Sequence, residues 1–332
     1  MKNDKIIKYE DIISLENLYQ AWKEFWPGKK NKPDVASFAL NLHKNISDLH
    51  RDLSGKSYIH GTYKSFNIND PKPRNIHKAS VRDRLLHHAI YRILYPYFDI
   101  KFIHDSYSCR LNKGTHRALE RFKHFGNKVS QNNTKQCWIL KCDIKKFFAS
   151  IDHSTLLSIL EKYIQDQDIL WLLERIITSF SSSTHISHGV YMYKGLPLGN
   201  LTSQLLVNIY MNEFDQYVKH RLKVKYYIRY ADDFVIFEND RKCLSLILKE
   251  MQNFLNYELK LTMHPDKVFI KTLSSGLDFL GWVHFPRHRV LRTVTKRRML
   301  KNLRKENLDS YLGMLKHGNA YKLQLIIKDL IS

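Results

Sequence analysis

Two apolar segments with the composition of β-strands carry aspartates at the points where the predicted strands end. These segments constrain the fold more than any other feature of the chain. Residues 137–143 (CWILKCD) form a short apolar run that ends at Asp143. Residues 224–237 (VKYYIRYADDFVIF) contain two β-rich runs that meet at Asp232 and Asp233, which is typical of a hairpin with acidic residues at its tip. If the first strand pairs beside this hairpin, three carboxylates converge at one edge of a sheet.

Three converging carboxylates favour a divalent-metal site. Proteins bind Mg²⁺ through one or two carboxylates together with substrate phosphates. Two such ions about 4 Å apart stabilise the attacking and the leaving oxygens of an in-line phosphoryl transfer. We therefore predict two Mg²⁺ ions, with Mn²⁺ as a substitute, at Asp143, Asp232 and Asp233. The alternative for Asp232 and Asp233 is a solvated turn, because aspartate is common in turns.

The charge balance favours a polyanionic partner. The chain of 332 residues has 54 lysines and arginines against 32 aspartates and glutamates, a formal net charge of +22. This excess favours binding to nucleic acid, and the alternative is a basic protein whose charge serves only solubility. Hydrophobic residues make up 43% of the sequence, enough for a core, which excludes global disorder.

The sequence predicts a cytoplasmic protein with no membrane partner. No run approaches the 18 apolar residues of a membrane span, and residues 1–9 lack the apolar region of a signal peptide. The four cysteines are too few and too scattered for a disulfide framework, which favours a reducing compartment.

Hydrophobic periodicity predicts an α+β fold in which helices cover one face of a sheet. We expect helices over residues 11–55, 84–95, 169–180 and 241–259, one that begins at Asp152 or Ser154, and a long one that begins at Thr202 or Ser203; the helix over 84–95 should stop at Pro96. Strands are expected over residues 58–68, 137–143, 224–237 and 279–285, and loops over 71–78 and 181–188.

Residues 287–305 contain nine basic residues and no acid. Arg297, Lys301 and Arg304 recur at helical spacing, so we predict a helix that follows a phosphate backbone. Its binding to nucleic acid should then weaken steeply with salt. The alternative is a solvated charged face.

Motifs found in order over residues 55–305 resemble those of reverse transcriptases. Residues 230–233 (YADD) resemble the YxDD box, and Asp143 with Phe147, Phe148 and residues 151–153 (IDH) resembles the first catalytic-aspartate motif. Residues 82–84 (RDR), 106–110 (SYSCR) and 114–116 (GTH) resemble the fingers motifs of group II intron-like enzymes, and residues 279–282 (FLGW) resemble the primer-grip strand.

The resemblance implies an RNA-directed DNA polymerase with a right-hand fold that contains fingers, a palm with an antiparallel sheet, and a short helical thumb. We expect N-terminal helices and fingers over residues 1–135, a palm over 136–285 with a fingers segment at about 165–200, and a basic thumb over 286–332. For the residues beyond Gly281 we expect this thumb and no RNase H, maturase or endonuclease domain. The expected partners are template RNA, the RNA/cDNA duplex and dNTPs.

The resemblance also implies a role for individual residues. Asp143, Asp232 and Asp233 would be the catalytic metal ligands, with the backbone carbonyl of Ile144 as another. The remaining assignments are nucleotide binding by Lys72, Arg74, Phe148, Leu198, Gly199 and Gln204, a primer grip at Phe279, Leu280, Gly281 and Trp282, nucleic-acid binding by Arg297, Arg298, Lys301 and Arg304, and a general acid at Lys267.

Three of these assignments have simpler alternatives. Phe148 matches the steric gate that excludes a ribonucleotide 2′-hydroxyl, but it is also compatible with a core position. Arg74 matches a fingers arginine that holds the triphosphate, and it is also compatible with a contact to a backbone phosphate elsewhere. Lys267 is equally compatible with an ordinary surface lysine.

Residues 198–204 (LGNLTSQ) narrow the resemblance to the reverse transcriptases of diversity-generating retroelements. Most relatives have QGxxxSP there, so Leu198 replaces the first glutamine and Gln204 replaces the proline. That family copies a template repeat with errors at adenines and works with a small basic accessory protein that forms a pentameric barrel. The alternatives are an anti-phage defence reverse transcriptase with a structured non-coding RNA, and a non-catalytic RNA-binding protein.

Overall fold

A computed structural model describes residues 7–69, 73–187 and 190–330. The chain divides into two compact units, each built from three separate stretches of sequence. The first unit contains the described residues of Met1–His104 with Lys145–Tyr217 and Asn253–Thr262. The second contains Asp105–Ile144, Val218–Gln252 and the described residues of Met263–Ser332.

Helices account for most of the regular structure. In chain order they are α1 (Tyr9–Ile13), α2 (Leu15–Phe25), α3 (Pro33–Leu40), α4 (Leu42–Ser54), α5 (Val81–Asp99), α6 (Thr115–Val129), α7 (Phe147–Ser150), α8 (His153–Tyr163), α9 (Gln167–Thr178), α10 (Leu201–Gln216), α11 (Arg241–Tyr257), α12 (Thr293–Lys301), α13 (Leu308–Leu315) and α14 (Tyr321–Asp329). A π-helical turn, Tyr217–Arg221, follows α10, and 3₁₀ turns lie at Pro265–Lys267, Leu273–Ser275 and Lys305–Asn307.

The strands form four antiparallel groups. In chain order they are β1 (Lys64–Ile68), β2 (Arg74–Lys78), β3 (Trp138–Asp143), β4 (Ser183–Ser187), β5 (Val190–Lys194), β6 (Tyr227–Tyr230), β7 (Asp233–Glu238), β8 (Phe269–Thr272), β9 (Leu277–Phe279), β10 (Trp282–His284) and β11 (Arg289–Leu291). The largest sheet has the order β6-β7-β3-β8, β9 to β11 form a second sheet, and β1 with β2 and β4 with β5 form two ribbons.

The first unit is organised around α5. This helix packs against α1, α2, α3 and α10, and its side chains at Leu85, Leu86 and Ile90 are buried. The predicted stop at Pro96 is wrong, because α5 continues to Asp99. Phe98 beyond the proline is buried against Tyr163, with ring centroids 5.8 Å apart, and this packing offsets the hydrogen bond that proline cannot donate.

Two segments of the first unit that were predicted as loops contain strands. The basic segment 71–78 forms β2 from Arg74, paired with β1 so that Lys64 faces Lys78. The polar segment 181–188 contains β4, paired with β5. Both pairings satisfy backbone groups, and neither carries the apolar alternation by which a strand is recognised in sequence.

The second unit confirms the predicted antiparallel sheet with helical cover. Helix α6 packs on β6 and β7. Phe122 of α6 contacts Phe237 of β7 and Phe279 of β9, with ring centroids 4.7 Å and 5.5 Å apart. The single strand predicted over residues 279–285 is instead a hairpin, because Leu280 and Gly281 both have positive φ and form a two-residue turn between β9 and β10.

Candidate active site

The sheet register brings the predicted carboxylates to one end of two adjacent strands. Asp143 ends β3 and lies directly opposite Asp233, which begins β7. Asp232 precedes Asp233 in the tight turn that joins β6 to β7, where Tyr230 is the cross-strand partner of Asp233. The predicted hairpin and its strand neighbour are therefore confirmed, whereas the catalytic role of the three residues stays a prediction.

The turn that carries Asp232 is held by a buried arginine that sequence reasoning missed. Ala231 lies in the left-handed region at φ +57°, a conformation that costs energy for a residue with a Cβ. Arg229, fully buried, donates from Nη1 to the carbonyl of Ala231 at 3.2 Å and from Nη2 to Ser106 Oγ at 3.1 Å. The only signal in the sequence was an arginine within an apolar strand.

Two lysines lie against the carboxylates. Lys267 Nζ lies 2.9 Å from Asp143 Oδ1, so the 3₁₀ turn at Pro265–Lys267 brings this predicted general acid beside the carboxylate cluster. Lys141, which sequence reasoning missed, is buried in β3 with its Nζ 3.5 Å from Asp233 Oδ2. It also donates to the carbonyl of Asp278 at 2.7 Å, which ties the carboxylate end of the sheet to β9.

The electrostatics of the cluster centre on Asp233. Burial raises the pKa of this carboxyl to about 7; Lys141 lowers the pKa, while Asp143 and Asp232 raise it. Asp233 Oδ1 is buried and has no hydrogen-bond partner among the described residues. A buried, unsatisfied carboxylate oxygen beside two further carboxylates matches the preference of Mg²⁺ for oxygen ligands.

The arrangement fits a metal that is completed by substrate rather than a closed protein cage. Within the described ranges, no three His, Cys, Asp or Glu side chains form a ready metal-binding cluster. Mg²⁺ typically uses only one or two carboxylates and fills its remaining positions with water and substrate phosphates. Ile144, the predicted carbonyl ligand, is buried and pairs with Met263 in an isolated bridge.

The predicted nucleotide-binding residues lie in the first unit, and its backbone links three of the segments that carry them. His77 N–H of β2 donates to the carbonyl of Leu198 at 3.0 Å, and Leu196 N–H donates to the carbonyl of Phe148 at 2.8 Å. Arg74 is exposed at the start of β2. Lys72 lies outside the described residues.

The segment before α10 is shaped by a glycine and an asparagine. Gly199 has φ +105°, and a Cβ there would lie 2.8 Å from Ile76 Cγ2. The N-cap residue of α10 is Asn200, and not Thr202 or Ser203 as predicted. The side-chain amide of Asn200 donates to the carbonyl of His77 at 2.9 Å. Gln204 lies half-buried in the first turn of α10.

The predicted primer-grip residues form the tight turn of the β9–β10 hairpin. Phe279 and Trp282 pair across it and are buried, while Leu280 and Gly281 are its two turn residues. The carbonyl of Gly281 accepts from Arg292 N–H at 3.1 Å, which ties the turn to the segment before α12.

Helix α12 carries only part of the predicted basic row. Arg297, Arg298 and Lys301 lie on it, but the helix ends at Lys301 and Arg304 has extended backbone. The row predicted from helical spacing is therefore wrong at Arg304. Asn302 ends the helix, and its carbonyl accepts from the Asn307 amide at 2.8 Å, so a local side-chain bond replaces a further turn.

A family model described as reverse transcriptase (RNA-dependent DNA polymerase) matches residues 68–284. Over 255 residues the chain is 27% identical to the protein YkfC of Escherichia coli K12, a match that covers 67% of this chain and 64% of YkfC. Over 279 residues it is 25% identical to the group II intron-encoded protein LtrA of Lactococcus lactis subsp. cremoris, covering 64% of this chain and 45% of LtrA. The chain thus spans less than two thirds of the length of these relatives.

A solved structure of apo telomerase from Candida tropicalis, truncated from its C-terminal domain, has a similar fold. The TM-score is 0.51 at 13% identity, and the match covers 71% of this chain and 55% of the telomerase chain. This likeness concerns the fold alone, and it agrees with the predicted α+β class. No helix in the described part of the chain is both long and apolar enough to cross a lipid bilayer.

Proposed function

Because the chain belongs to the reverse transcriptase family, we propose that it is an RNA-directed DNA polymerase that copies a template RNA into cDNA. The observation that carries the proposal is the register in which Asp143 faces Asp233, with Asp232 in the adjoining turn. Carboxylates in this arrangement suit two-metal phosphoryl transfer to a primer 3′-hydroxyl.

The three carboxylates are the proposed metal ligands, with the carbonyl of Ile144 as a further one. Two bound Mg²⁺ ions, or Mn²⁺ in their place, would activate the attacking hydroxyl and offset the charge that develops on the phosphoryl group. Lys267 is the proposed proton donor to the leaving pyrophosphate. The support is its position, because its ammonium lies within hydrogen-bond distance of Asp143 and therefore beside the proposed metal ligands.

The proposed nucleotide contacts belong to the first unit. Arg74 and Lys72 would bind the triphosphate, because cationic side chains pair with phosphate oxygens and arginine does so bidentately. Phe148 would exclude a 2′-hydroxyl, and Leu198, Gly199 and Gln204 would line the nucleotide. The hydrogen bonds from His77 to Leu198 and from Leu196 to Phe148 support this grouping.

Primer extension on an RNA template with Mg²⁺ tests the polymerase assignment. We expect the wild-type chain to extend the primer and Asp232→Ala/Asp233→Ala to be slower by at least ~10³-fold, since metal ligands supply several kcal/mol of transition-state stabilisation. Asp309→Ala, an exposed aspartate in the first turn of α13, is the matched control and should retain wild-type extension. Equal extension by the doubly substituted chain would overturn the assignment.

We further propose that copying is error-prone at template adenines, as in diversity-generating retroelements. The support is Leu198, which replaces an amide by an aliphatic side chain, because an apolar pocket discriminates weakly between close analogues. In this proposal the chain acts in the cytoplasm on template RNA, the RNA/cDNA duplex and dNTPs, with a small basic accessory protein as partner.

Sequencing of cDNA tests the role of Leu198. Leu198→Gln restores the amide and should lower misincorporation opposite template adenines, whereas Leu246→Gln, a substitution of an exposed leucine in α11, should leave the error spectrum unchanged. An unchanged error frequency at adenines in Leu198→Gln would contradict the proposed role.

A further inference from the structure

A cavity of about 380 Å³ lies in the second unit, apart from the carboxylate cluster. Its walls come from α6, from the loop between β10 and β11, and from the loop between α13 and α14. None of its lining residues is one of the carboxylates or lysines of the candidate active site. The volume falls within the range of roughly 300–1,000 Å³ that is typical of small-molecule sites.

Three exposed cations surround this cavity. They are Lys123 of α6, Arg287 of the β10–β11 loop and Lys316 after α13. Within the part of the chain that the structure describes, none of the three forms an ion pair or a side-chain hydrogen bond, and no aspartate or glutamate is among the lining residues. Their charges are thus available to an anion.

The lining also contains a fourth cation, Arg289, and two histidines, His284 and His317, that are uncharged near neutral pH. Burial, together with the positive charge of Arg289, lowers the pKa of His284 to about 3. Burial, His116 and Arg289 also lower the pKa of His317. Glu120, which is not a lining residue, acts in the opposite direction and raises the pKa of both Arg289 and His317.

Aromatic rings supply a second kind of contact. Phe285 and His288 are stacked, with centroids 4.9 Å apart and an interplanar angle of 18°. Phe285 N–H donates to the carbonyl of His288 at 2.8 Å, so the loop itself fixes the pair. Flat rings beside cations are the combination that binds nucleotides, because bases stack on aromatic rings while phosphates pair with basic side chains.

We propose that this cavity binds a nucleotide, with its phosphate against Lys123, Arg287 and Lys316 and its base against Phe285 and His288. The nucleotide is one unit of a nucleic-acid strand or a free mononucleotide, which share this chemistry. The site is additional to the polymerase site and requires no divalent metal.

Metal-free binding measurements test the site separately from polymerisation. The probes are a fluorescein-labelled single-stranded RNA of ten nucleotides and adenosine 5′-monophosphate, both in EDTA. Lys123→Gln/Arg287→Gln/Lys316→Gln should bind at least ~10-fold more weakly than wild type at low salt, because phosphate contacts dominate such affinities. Lys23→Gln/Lys44→Gln/Lys249→Gln removes the same charge at exposed positions and should bind within about threefold of wild type.

Weaker binding of the RNA alone assigns the cavity to a nucleic-acid strand, and weaker binding of both probes assigns it to a free nucleotide. Equal affinities of the two triple variants for both probes overturn the proposal. As a measurement that needs no variant, RNA carrying 5-iodouridine should photo-crosslink to the peptide that contains Phe285 and His288 in the wild-type chain. Crosslinks confined to other peptides also overturn it.

Discussion

Lys141 shows how a single residue links the carboxylate cluster to its support. Its side chain is buried in the middle of β3, a position where an uncompensated ammonium would be costly. The ammonium is satisfied by the carbonyl of Asp278 at 2.7 Å and by the carboxylate of Asp233 at 3.5 Å. One charge thus neutralises part of the cluster and holds β9 in place.

Replacement of Lys141 by methionine should destabilise the protein. Lys141→Met keeps the length and apolar body of the side chain but leaves the carbonyl of Asp278 without its donor, so we expect the free energy of unfolding to fall by about 1–3 kcal/mol. Urea denaturation measures this loss. Lys271→Met, at an exposed position on the neighbouring strand β8, is the control and should change stability by less than ~0.5 kcal/mol. Equal stability of the two variants would show that the Lys141 contacts contribute nothing.

At the scale of elements, α8 depends on a charged cap. Asp152 is buried at the N-terminus of this helix and accepts from Thr155 N–H at 3.0 Å. Lys260 Nζ lies 2.8 Å from the same carboxylate oxygen. Burial alone would raise the pKa of Asp152, but the hydrogen bonds from Lys260, Ser154 and Thr155 outweigh burial and lower the pKa to about 2.

This cap predicts a defined loss of stability in acid. Because the folded pKa lies below the unfolded value of 3.8, ionised Asp152 stabilises the fold above about pH 4, and the contribution disappears as the pH falls towards 2. The shift corresponds to roughly 2 kcal/mol. The difference in unfolding free energy between wild type and Asp152→Asn should therefore be constant near neutrality and shrink between pH 4 and 2.

Lys260→Met provides the companion measurement, since it removes the cation from the same pair and should lose part of the same pH-dependent stability. Asparagine still caps helices well, so the Asp152→Asn comparison isolates the charge from the cap. Parallel stability curves for wild type and Asp152→Asn across this pH window would refute the assignment.

For the whole molecule, the net charge of +22 is the property with the broadest consequence. The exposed cations of α12, Arg297 and Lys301, are the part of this excess for which we propose backbone-phosphate contacts. Each phosphate contact releases counterions. The logarithm of the association constant for a duplex should therefore fall linearly with the logarithm of the salt concentration.

The slope of that line measures the contribution of α12. Each phosphate contact contributes roughly 0.9 to the slope on a B-form duplex. Arg297→Gln/Lys301→Gln removes two cations and should therefore make the slope shallower by about 1.8. Lys23→Gln/Lys44→Gln carries the same charge change at exposed positions of α2 and α4 and should leave the slope near that of wild type. Fluorescence anisotropy from 50 to 300 mM NaCl gives both slopes. An unaltered slope in the α12 variant would place the phosphate contacts elsewhere.

Several helices and strands could not be predicted from sequence patterns, because tertiary contacts determine where they form and end. The helix α5 passes Pro96 because Phe98 is buried beyond it, and β2 and β4 exist because each has a strand to pair with. In the same way, positive φ at Leu280 and Gly281 divides an apolar run into two strands, although leucine gives no sign of such a turn.

The sequence by itself determined the family-defining features: the two aspartate-bearing strand segments, the helical periodicities, the basic excess and the ordered motifs. These are local, since they depend on residue type and spacing along the chain. Only the tertiary structure decided that Asp143 faces Asp233, that Lys141 and Lys267 lie against them, and that Arg229 holds the turn between β6 and β7. Each of these contacts joins residues that are distant in sequence or depends on a backbone conformation, so only the folded pairing of strands fixes which charges meet.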